Sequence, residues 1–430
     1  MAEANRSARI PPMAWAVWGL GAAFYCYGFF QRVAPSVIVG DLMADFAVGG
    51  AILGNLSAFY FYAYAGLQLP VGLIIDRWGP RRVMTAAVLV TGVGSLLFAL
   101  AGSLGPAYLG RLLVGAGAGF SWVGCLTLIT AWFPARRFAM VTGLTLFVGL
   151  AGAVGGQAPL AALVTSVGWR ATMLAAAAFA VLLALAIWLI VRDRPIGAAV
   201  PKVSAAGESR ALWQGLRQVA GRRQTWVLAL VGSTMAAPML SLGALWGVPY
   251  LSAAHGLSRP AAALNTSLML VGWAVGSPLV GWVSDRIGRR RLPMTVGALI
   301  AVSSMTLLLV VPGLSLGAVR VLLFLNGFAG GTMVLCFAVM RETNAGGAIA
   351  SGYGVVNMAV MAGGAIFQPL IGFLLDRMWD GRMEGGARLY SVAAYETAFM
   401  TLSAATAIGL LATLFVRETW CRPAAGLAPA

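Results

Sequence analysis

Two short stretches that share one pattern decide the fold: "VGLIIDRWGPRR" at Val71–Arg82 and "VGWVSDRIGRRR" at Val280–Arg291. Each contains a glycine, an Asp-Arg pair, a second glycine and two arginines at identical spacing. The matched positions differ in number by 209 throughout. The same offset relates Arg111 to Arg320, one apolar segment further along each time. The chain therefore consists of two halves with related sequences.

The composition is that of a protein embedded in a membrane. Of its 430 residues, 60% are hydrophobic and only 10% are charged, and the mean hydropathy is +0.87. A soluble domain is about a quarter charged. A membrane span needs about 20 mostly apolar residues. The sequence predicts twelve spans, at 13–37, 50–75, 82–102, 106–132, 138–165, 169–191, 225–251, 261–284, 292–312, 316–340, 347–375 and 394–416.

The longest polar stretch lies between the sixth and seventh predicted spans. Its position between two sets of six spans predicts an all-α, polytopic membrane protein. We expect two pseudosymmetric six-helix bundles, at 1–192 and 225–430, joined by a cytoplasmic linker at 193–224. Parallel repeats of six spans are typical of secondary transporters, in which two bundles alternately open a central site to either side.

The arginines predict the orientation. If both termini are cytoplasmic, 21 of the 29 Lys and Arg residues fall on the cytoplasmic side, as the positive-inside rule requires. We therefore expect a multi-pass protein of the inner membrane, surrounded by the lipid bilayer and monomeric. The net charge of +16 is spread over short runs between apolar segments, so we expect no nucleic-acid partner.

Several classes of function are excluded. The sequence contains no constellation of residues for nucleophilic catalysis, no metal-ligating cluster and no nucleotide-binding loop GxxxxGK[ST]. We expect a protein that is not an enzyme and has no cofactor.

The repeated loop resembles the signature loop of the major facilitator superfamily, and "RLLVGAGAG" in the fourth span resembles its second motif. In that superfamily the loop holds the cytoplasmic ends of helices together in the outward-open state. Gly79 and Gly288 permit a tight turn, and the carboxylates of Asp76 and Asp285 can accept hydrogen bonds from helix N-termini and guanidinium groups. The predicted gating or structural residues are Asp76, Arg77, Gly79, Arg81, Arg82, Arg111, Asp285, Arg286, Gly288, Arg290, Arg291 and Arg320.

The charges inside the spans indicate the substrate. None of the thirteen acidic residues lies in the middle of a predicted span, whereas Arg32, Arg111 and Arg320 lie within spans. A charge at mid-helix costs on the order of 2.5–3.5 kcal/mol. We therefore expect each of these arginines to have a functional or structural role that offsets this cost. A cationic interior favours an anionic substrate. The shared offset favours a paired structural or gating role for Arg111 and Arg320, and their contact with substrate stays open.

The first two spans resemble the anion-transporting branch of the superfamily, which includes organic-anion:proton symporters. The resemblance implies that Arg32 holds a substrate carboxylate. Gln31 stands where those symporters often have a proton-carrying acid, so coupling to a proton or other ion stays open. Tyr60, Tyr64 and Gln68 share one helical face and are predicted to shape the pocket. Tyr353 and Asn357 are predicted to contribute from the second half.

The sequence therefore predicts a secondary active or facilitative transporter of a small organic anion, in particular a carboxylate. One alternative is an antiport exporter of a hydrophobic compound or drug, although the fifth span lacks the Gly-Pro pair of the superfamily's antiporter motif. The other alternative is a membrane sensor or scaffold that has lost transport. The substrate itself and the direction of transport are not specified by the sequence.

Overall fold

The computed structural model describes residues 10–195, 205–344 and 347–422. Eleven helical segments in these ranges are long and apolar enough to cross a membrane, and the pair Val39–Phe46 and Gly50–Leu67, bent by 115°, supplies the twelfth. One short hairpin is the only sheet in the described residues. The predicted all-α fold is confirmed. Both termini, predicted to be cytoplasmic, and part of the linker (196–204) lie outside the described residues.

The first half contains ten helices, because several spans are broken at glycine or proline. The helices are α1 (Pro12–Val33, continued by a 3-10 turn to Val37), α2 (Val39–Phe46), α3 (Gly50–Leu67), α4 (Val71–Trp78), α5 (Pro80–Leu100), α6 (Leu104–Ala118), α7 (Ser121–Trp132), α8 (Ala135–Gly155), α9 (Ala158–Val167) and α10 (Trp169–Ile190). The second predicted span is thus α3 and α4, separated at Gln68–Pro70. Helix α11 (Ala205–Ala220) lies between the halves.

The second half repeats this order. Its elements are α12 (Arg223–Pro238), a π-helical stretch (Met239–Trp246), α13 (Gly247–His255), α14 (Arg259–Ile287), α15 (Arg291–Val310), α16 (Leu316–Gly330, followed by a 3-10 turn at Gly331–Met333), α17 (Val334–Thr343), α18 (Gly347–Arg377), β1 (Met383–Glu384), β2 (Ala387–Arg388) and α19 (Val392–Thr413).

Glycines let equivalent helices approach closely in both halves, as is common in membranes. A Cβ on Gly115 of α6 would lie 2.1 Å from the carbonyl oxygen of Tyr60 on α3. A Cβ on Gly327 of α16 would lie 2.0 Å from the carbonyl oxygen of Met269 on α14. Tyr60 and Met269 keep the offset of 209, but Gly115 and Gly327 differ by 212.

This change of offset corrects the pairing of Arg111 with Arg320. The connection before α16 spans 311–315, whereas the one before α6 spans only 101–103, so the structural equivalent of Arg111 is Leu323. Arg320 lies one helical turn earlier and is exposed; its Nε donates to Asn265 Oδ1 at 2.7 Å. Arg111 is only 2% exposed. The two arginines therefore do not form a symmetric pair.

Polar contacts join the two halves at one face of the molecule. We call the face with the Asp76 and Asp285 turns the loop face and the opposite one the far face. At the far face Asp376 accepts hydrogen bonds from the backbone amides of Gly50 (2.8 Å) and Ala51 (2.9 Å), at the N-terminus of α3. The ion pair between Asp41 and Arg259, at 2.7 Å, also joins the halves there. The structure is therefore closed at the far face.

Candidate substrate site and its gates

Arg32, near the end of α1, is buried against aromatic rings. Its side chain is 5% exposed. Its guanidinium carbon lies 4.4 Å from the ring centre of Phe29 and 5.3 Å from that of Tyr64. Its Nε donates to the Tyr60 hydroxyl at 3.4 Å. Arg32 is thus held inside the protein by cation–π contacts and does not extend outward to the membrane surface.

The other predicted pocket residues extend from Arg32 to the second half. The rings of Tyr60 and Tyr64 stack with their centres 5.9 Å apart. Gln68 Nε2 donates to the backbone oxygen of Tyr64 at 3.3 Å. Asn357 Nδ2 donates to Gln68 Oε1 at 2.6 Å across the two halves. Five of the six predicted residues therefore form one connected group at the interface.

Tyr353 is placed beside this group and is not part of the connected contacts. It lies one helical turn before Asn357 on α18, and its ring packs edge-on against Phe337 of α17 with centres 5.8 Å apart. Its side chain is half-buried.

Arg111 approaches the same group from behind Tyr60. Its Nη1 donates to the backbone oxygen of Gln31 at 3.0 Å, and its guanidinium carbon lies 5.4 Å from the centre of the Tyr60 ring. Its Nε and Nη2 are buried and have no hydrogen-bond partner within the part of the chain that the structure describes. The amide nitrogen of Gln31 donates to Tyr27 and Ser95, each at 2.7 Å. Gln31 therefore has a structural role beside both arginines.

No carboxylate balances these two charges in the described part of the chain. The carboxylates that form ion pairs there lie at the two faces: Asp41, Asp45, Asp376 and Asp380 at the far face, and Asp285 and Glu342 at the loop face. Neither Arg32 nor Arg111 is among their partners. The centre is consequently a region of positive potential with low dielectric surroundings, which attracts anions.

Two glutamines beyond Arg32, toward the far face, were missed by the sequence analysis. Gln157 Nε2 donates to the backbone oxygen of Gly243 at 2.9 Å, and Gln368 Nε2 donates to that of Leu240 at 2.7 Å. Both acceptors belong to the π-helical stretch, a conformation frequent at functional sites. The signal was present in the sequence, because "QAPLAAL" and "FQPLIGF" are repeat-related segments containing these glutamines.

The signature loop of the second half forms a network of ion pairs. Arg290 donates to Asp285 Oδ1 at 2.6 Å and to Glu342 Oε1 at 2.7 Å. Glu418 accepts from the backbone amides of Arg290 (2.8 Å) and Arg291 (3.0 Å) at the start of α15. The turn itself depends on Gly288, whose φ is +66°. The exposed Arg286 lies over the ring of Trp282 at 5.9 Å.

The loop of the first half uses another acid, which corrects the expectation for Asp76. Asp193, after α10, accepts from the backbone amide of Arg81 at 2.7 Å, at the start of α5. It lies so close to Gly79 (φ +80°) that a Cβ there would be 2.5 Å from its Oδ2. Asp76 forms no ion pair in the described residues. Asp193 and Glu418, not Asp76 and Asp285, thus cap the helices that follow the two loops.

The remaining arginines of the first loop lie at the surface. The guanidinium of Arg81 donates to the backbone oxygen of Trp188 at 2.9 and 2.6 Å and covers its ring at 4.4 Å. Arg77 lies 5.9 Å from the ring of Trp78, and Arg82 is exposed. These contacts place positive charge at the level where aromatic side chains meet the membrane interface.

Known proteins resemble the chain over two thirds or more of its length. The probable sulfoacetate transporter SauU of Cupriavidus necator is 24% identical over 428 residues, covering 93% of each chain. The putative tartrate transporter of Agrobacterium vitis is 25% identical, covering 86% of this chain and 84% of its own. The membrane sensor protein UhpC of Escherichia coli is 25% identical over 316 residues, covering 68% and 70%.

Solved structures share the fold. The bacterial homologue of the human lysosomal transporter Spinster superimposes with a TM-score of 0.77 at 18% identity, over 97% of this chain and 99% of its own. The profile of the Major Facilitator Superfamily matches residues 19–245 and 239–426. With two repeated halves and a signature loop in each, the chain belongs to the Major Facilitator Superfamily, a family of transporters and not of enzymes.

Proposed function

We propose that the protein carries a small organic anion, in particular a carboxylate, across the inner membrane by alternating access. The observation that supports this is Arg32. It is buried at the interface of the halves, is surrounded by Phe29, Tyr60 and Tyr64, and has no carboxylate partner in the described residues. A guanidinium in such surroundings binds a carboxylate with two parallel hydrogen bonds.

The relatives support the same class of substrate. Sulfoacetate and tartrate, the substrates in the names of two of them, are organic acids that are ionised at neutral pH. At about 25% identity the substrate itself does not transfer to this chain, but an anionic substrate agrees with the two unbalanced arginines.

The contacts between the halves support one conformation of the transport cycle. The far face is closed by Asp376 on the α3 N-terminus and by Asp41–Arg259, whereas the ion pairs of the signature loops stay within one half. With the loops in the cytoplasm, as the arginine distribution predicts, this is an inward-facing arrangement. Substrate would then reach Arg32 from the cytoplasm.

Uptake into proteoliposomes tests the proposal. Purified protein is reconstituted, and entry of radiolabelled short-chain carboxylates is compared for the wild type, Arg32→Gln and Arg32→Lys. We expect Arg32→Gln to abolish uptake and Arg32→Lys to retain a small part, because lysine keeps the charge but loses the planar pair of donors. The control is Arg382→Gln, which removes an exposed arginine at the far face. Carboxylate uptake that persists undiminished in Arg32→Gln would refute the role of Arg32.

The similarity to UhpC favours a second candidate, a sensor that binds an anion without transporting it. The same preparation separates the two. A sensor would be stabilised by carboxylates in a thermal unfolding assay but would show no flux, whereas a transporter would show both. Flux of hydrophobic compounds and not of carboxylates would instead support the antiport exporter of a hydrophobic compound or drug that the sequence left as an alternative.

A further inference from the structure

The ring of Tyr60 contacts two buried guanidinium groups. The guanidinium carbon of Arg32 is 5.6 Å from the centre of its ring, and that of Arg111 is 5.4 Å from the same centre. The two cations are therefore at most about 11 Å apart, the sum of these distances. Arg111 is also bound to the backbone oxygen of Gln31, the residue next to Arg32. Both charges thus belong to one small region around the last turn of α1.

Arg111 has donors that the protein does not use. A guanidinium has five N–H donors, yet Nε and Nη2 of Arg111 are buried and have no partner in the described residues. Leaving charged donors unsatisfied in a buried position is costly. By contrast Arg290, also buried, is fully paired with Asp285 and Glu342. Nε and Nη2 of Arg111 are therefore available to donate to an acceptor that the described chain does not itself supply.

The hydroxyl of Tyr60 is held only by long hydrogen bonds. The Tyr60 hydroxyl makes hydrogen bonds of 3.4 Å with both Arg32 Nε and the backbone oxygen of Gly28, longer than ordinary ones. The backbone of Tyr60 is fixed by the close contact with Gly115, and its buried ring stacks on that of Tyr64. An acid group that binds both guanidinium groups would therefore displace the ring and hydroxyl of Tyr60 but not its backbone.

We infer that the site takes a compact dianion, with one acid group on Arg32 and the second on Nε and Nη2 of Arg111. This inference rests on the proposed function and narrows its substrate class. A guanidinium carbon lies about 4 Å from the central atom of the acid group that it binds. Two acid groups separated by one or two carbon atoms therefore fit a separation of the guanidinium carbons near the upper bound of about 11 Å, and Arg111 determines the preference for a second negative charge.

Binding of matched pairs of acids tests this inference. Malonate and succinate are compared with the monoanions propionate and butyrate by calorimetry on the purified protein. We expect the wild type to bind each diacid at least about tenfold more tightly than its monoacid. In Arg111→Gln this ratio falls to about one while monoacid binding persists, whereas Arg32→Gln loses both. Arg320→Gln, which removes the arginine of α16 that contacts Asn265, is expected to keep the wild-type ratio.

The outcomes separate this inference from the function on which it rests. Equal wild-type binding of diacids and monoacids, or equal weakening of both by Arg111→Gln, overturns the dianion site but leaves carboxylate transport standing. Absence of binding by all four acids overturns both. If Arg111→Gln does not fold, malonate is titrated against the wild type between pH 5 and pH 7. Affinity that rises as the second acid group ionises supports the inference, and affinity that stays constant contradicts it.

Discussion

Gln157 in the first half and Gln368 in the second half donate hydrogen bonds to the same π-helical stretch, at Gly243 and Leu240 respectively. The two glutamines lie in repeat-related segments, one position apart in the alignment, and only the bond from Gln157 crosses between the halves. Both side chains are fully buried. The bond from Gln157 must therefore break when the far face opens, while the bond from Gln368 can persist throughout the cycle.

The first prediction concerns Gln157→Leu. Removal of the bond that crosses the halves should favour opening of the far face by about 1–3 kcal/mol, because the oxygen of Gly243 loses its donor. Hydrogen–deuterium exchange should increase both at 34–37 and at 239–246, the two segments that face each other. The control Gln368→Leu should increase exchange at 239–246 alone. Equal effects of the two variants would show that Gln157 has no special role in closure.

The second prediction concerns the unequal signature loops. Arg290 and Glu342 are both 8% exposed, and breaking a buried ion pair costs about 3–5 kcal/mol because one charge is left without a partner. Arg290→Gln should therefore lower the midpoint of thermal unfolding in detergent strongly. Arg81→Gln, at the repeat-related position, removes hydrogen bonds to the oxygen of Trp188, worth about 0.5–1.5 kcal/mol, and an exposed contact with its ring, worth about 0.5–1 kcal/mol. A larger loss for Arg81→Gln would contradict this description of the loops.

Much of this arrangement could be predicted from the sequence, because it follows from periodicity and repetition. Apolar segments of span length gave the helices, and the identical spacing of Gly79 and Gly288 within their motifs gave the turns. Helical spacing and unbalanced charge can both be recognised from the sequence alone. For this reason most of the pocket could be proposed, namely Arg32, Tyr60, Tyr64, Gln68 and Asn357.

What could not be predicted depends on contacts between distant segments. The constant offset of 209 suggested that Arg111 and Arg320 are equivalent, but the longer connection before α16 shifts that helix by about one turn. Asp193 replaces Asp76 as a helix cap because the end of α10 folds back to the start of α5, which no local pattern reveals. In both cases the sequence shows the residues but does not show which distant residue each of them contacts or matches in the fold.

The third prediction concerns acid and Glu418. Burial acts to raise the pKa of this carboxyl, but hydrogen bonds from the amides of Arg290, Arg291, Trp420 and Thr419 outweigh it and lower the pKa below its ordinary value of 4.5. Glu418 therefore stabilises the fold fully above pH 4.5, and this stabilisation is lost as the pH falls through the lower folded value. The thermal midpoint of Glu418→Gln should be below that of the wild type at pH 7, and the difference should shrink toward pH 4. A difference that stays constant with pH would contradict the capping role.

The fourth prediction is that uptake does not depend on a proton gradient. In the described spans the charged residues near the site are Arg32 and Arg111, and Gln31 occupies the position between them with its amide bound to Tyr27 and Ser95. No carboxylate there can carry a proton during the cycle, so accumulation of a fully ionised acid should be the same with and without a pH difference across the proteoliposome. The membrane potential should change the rate, because the anion moves without a compensating proton.

A protonophore added at zero membrane potential supplies the control for this last prediction. It collapses any pH difference and should leave the uptake of a strong organic acid unchanged. For a weak acid, uptake should follow the ionised fraction of the acid itself, and the midpoint should move when an acid of different pKa is used. Accumulation driven by the pH difference alone, with a midpoint that is the same for every acid tested, would show that a group on the protein carries the proton and would contradict the prediction.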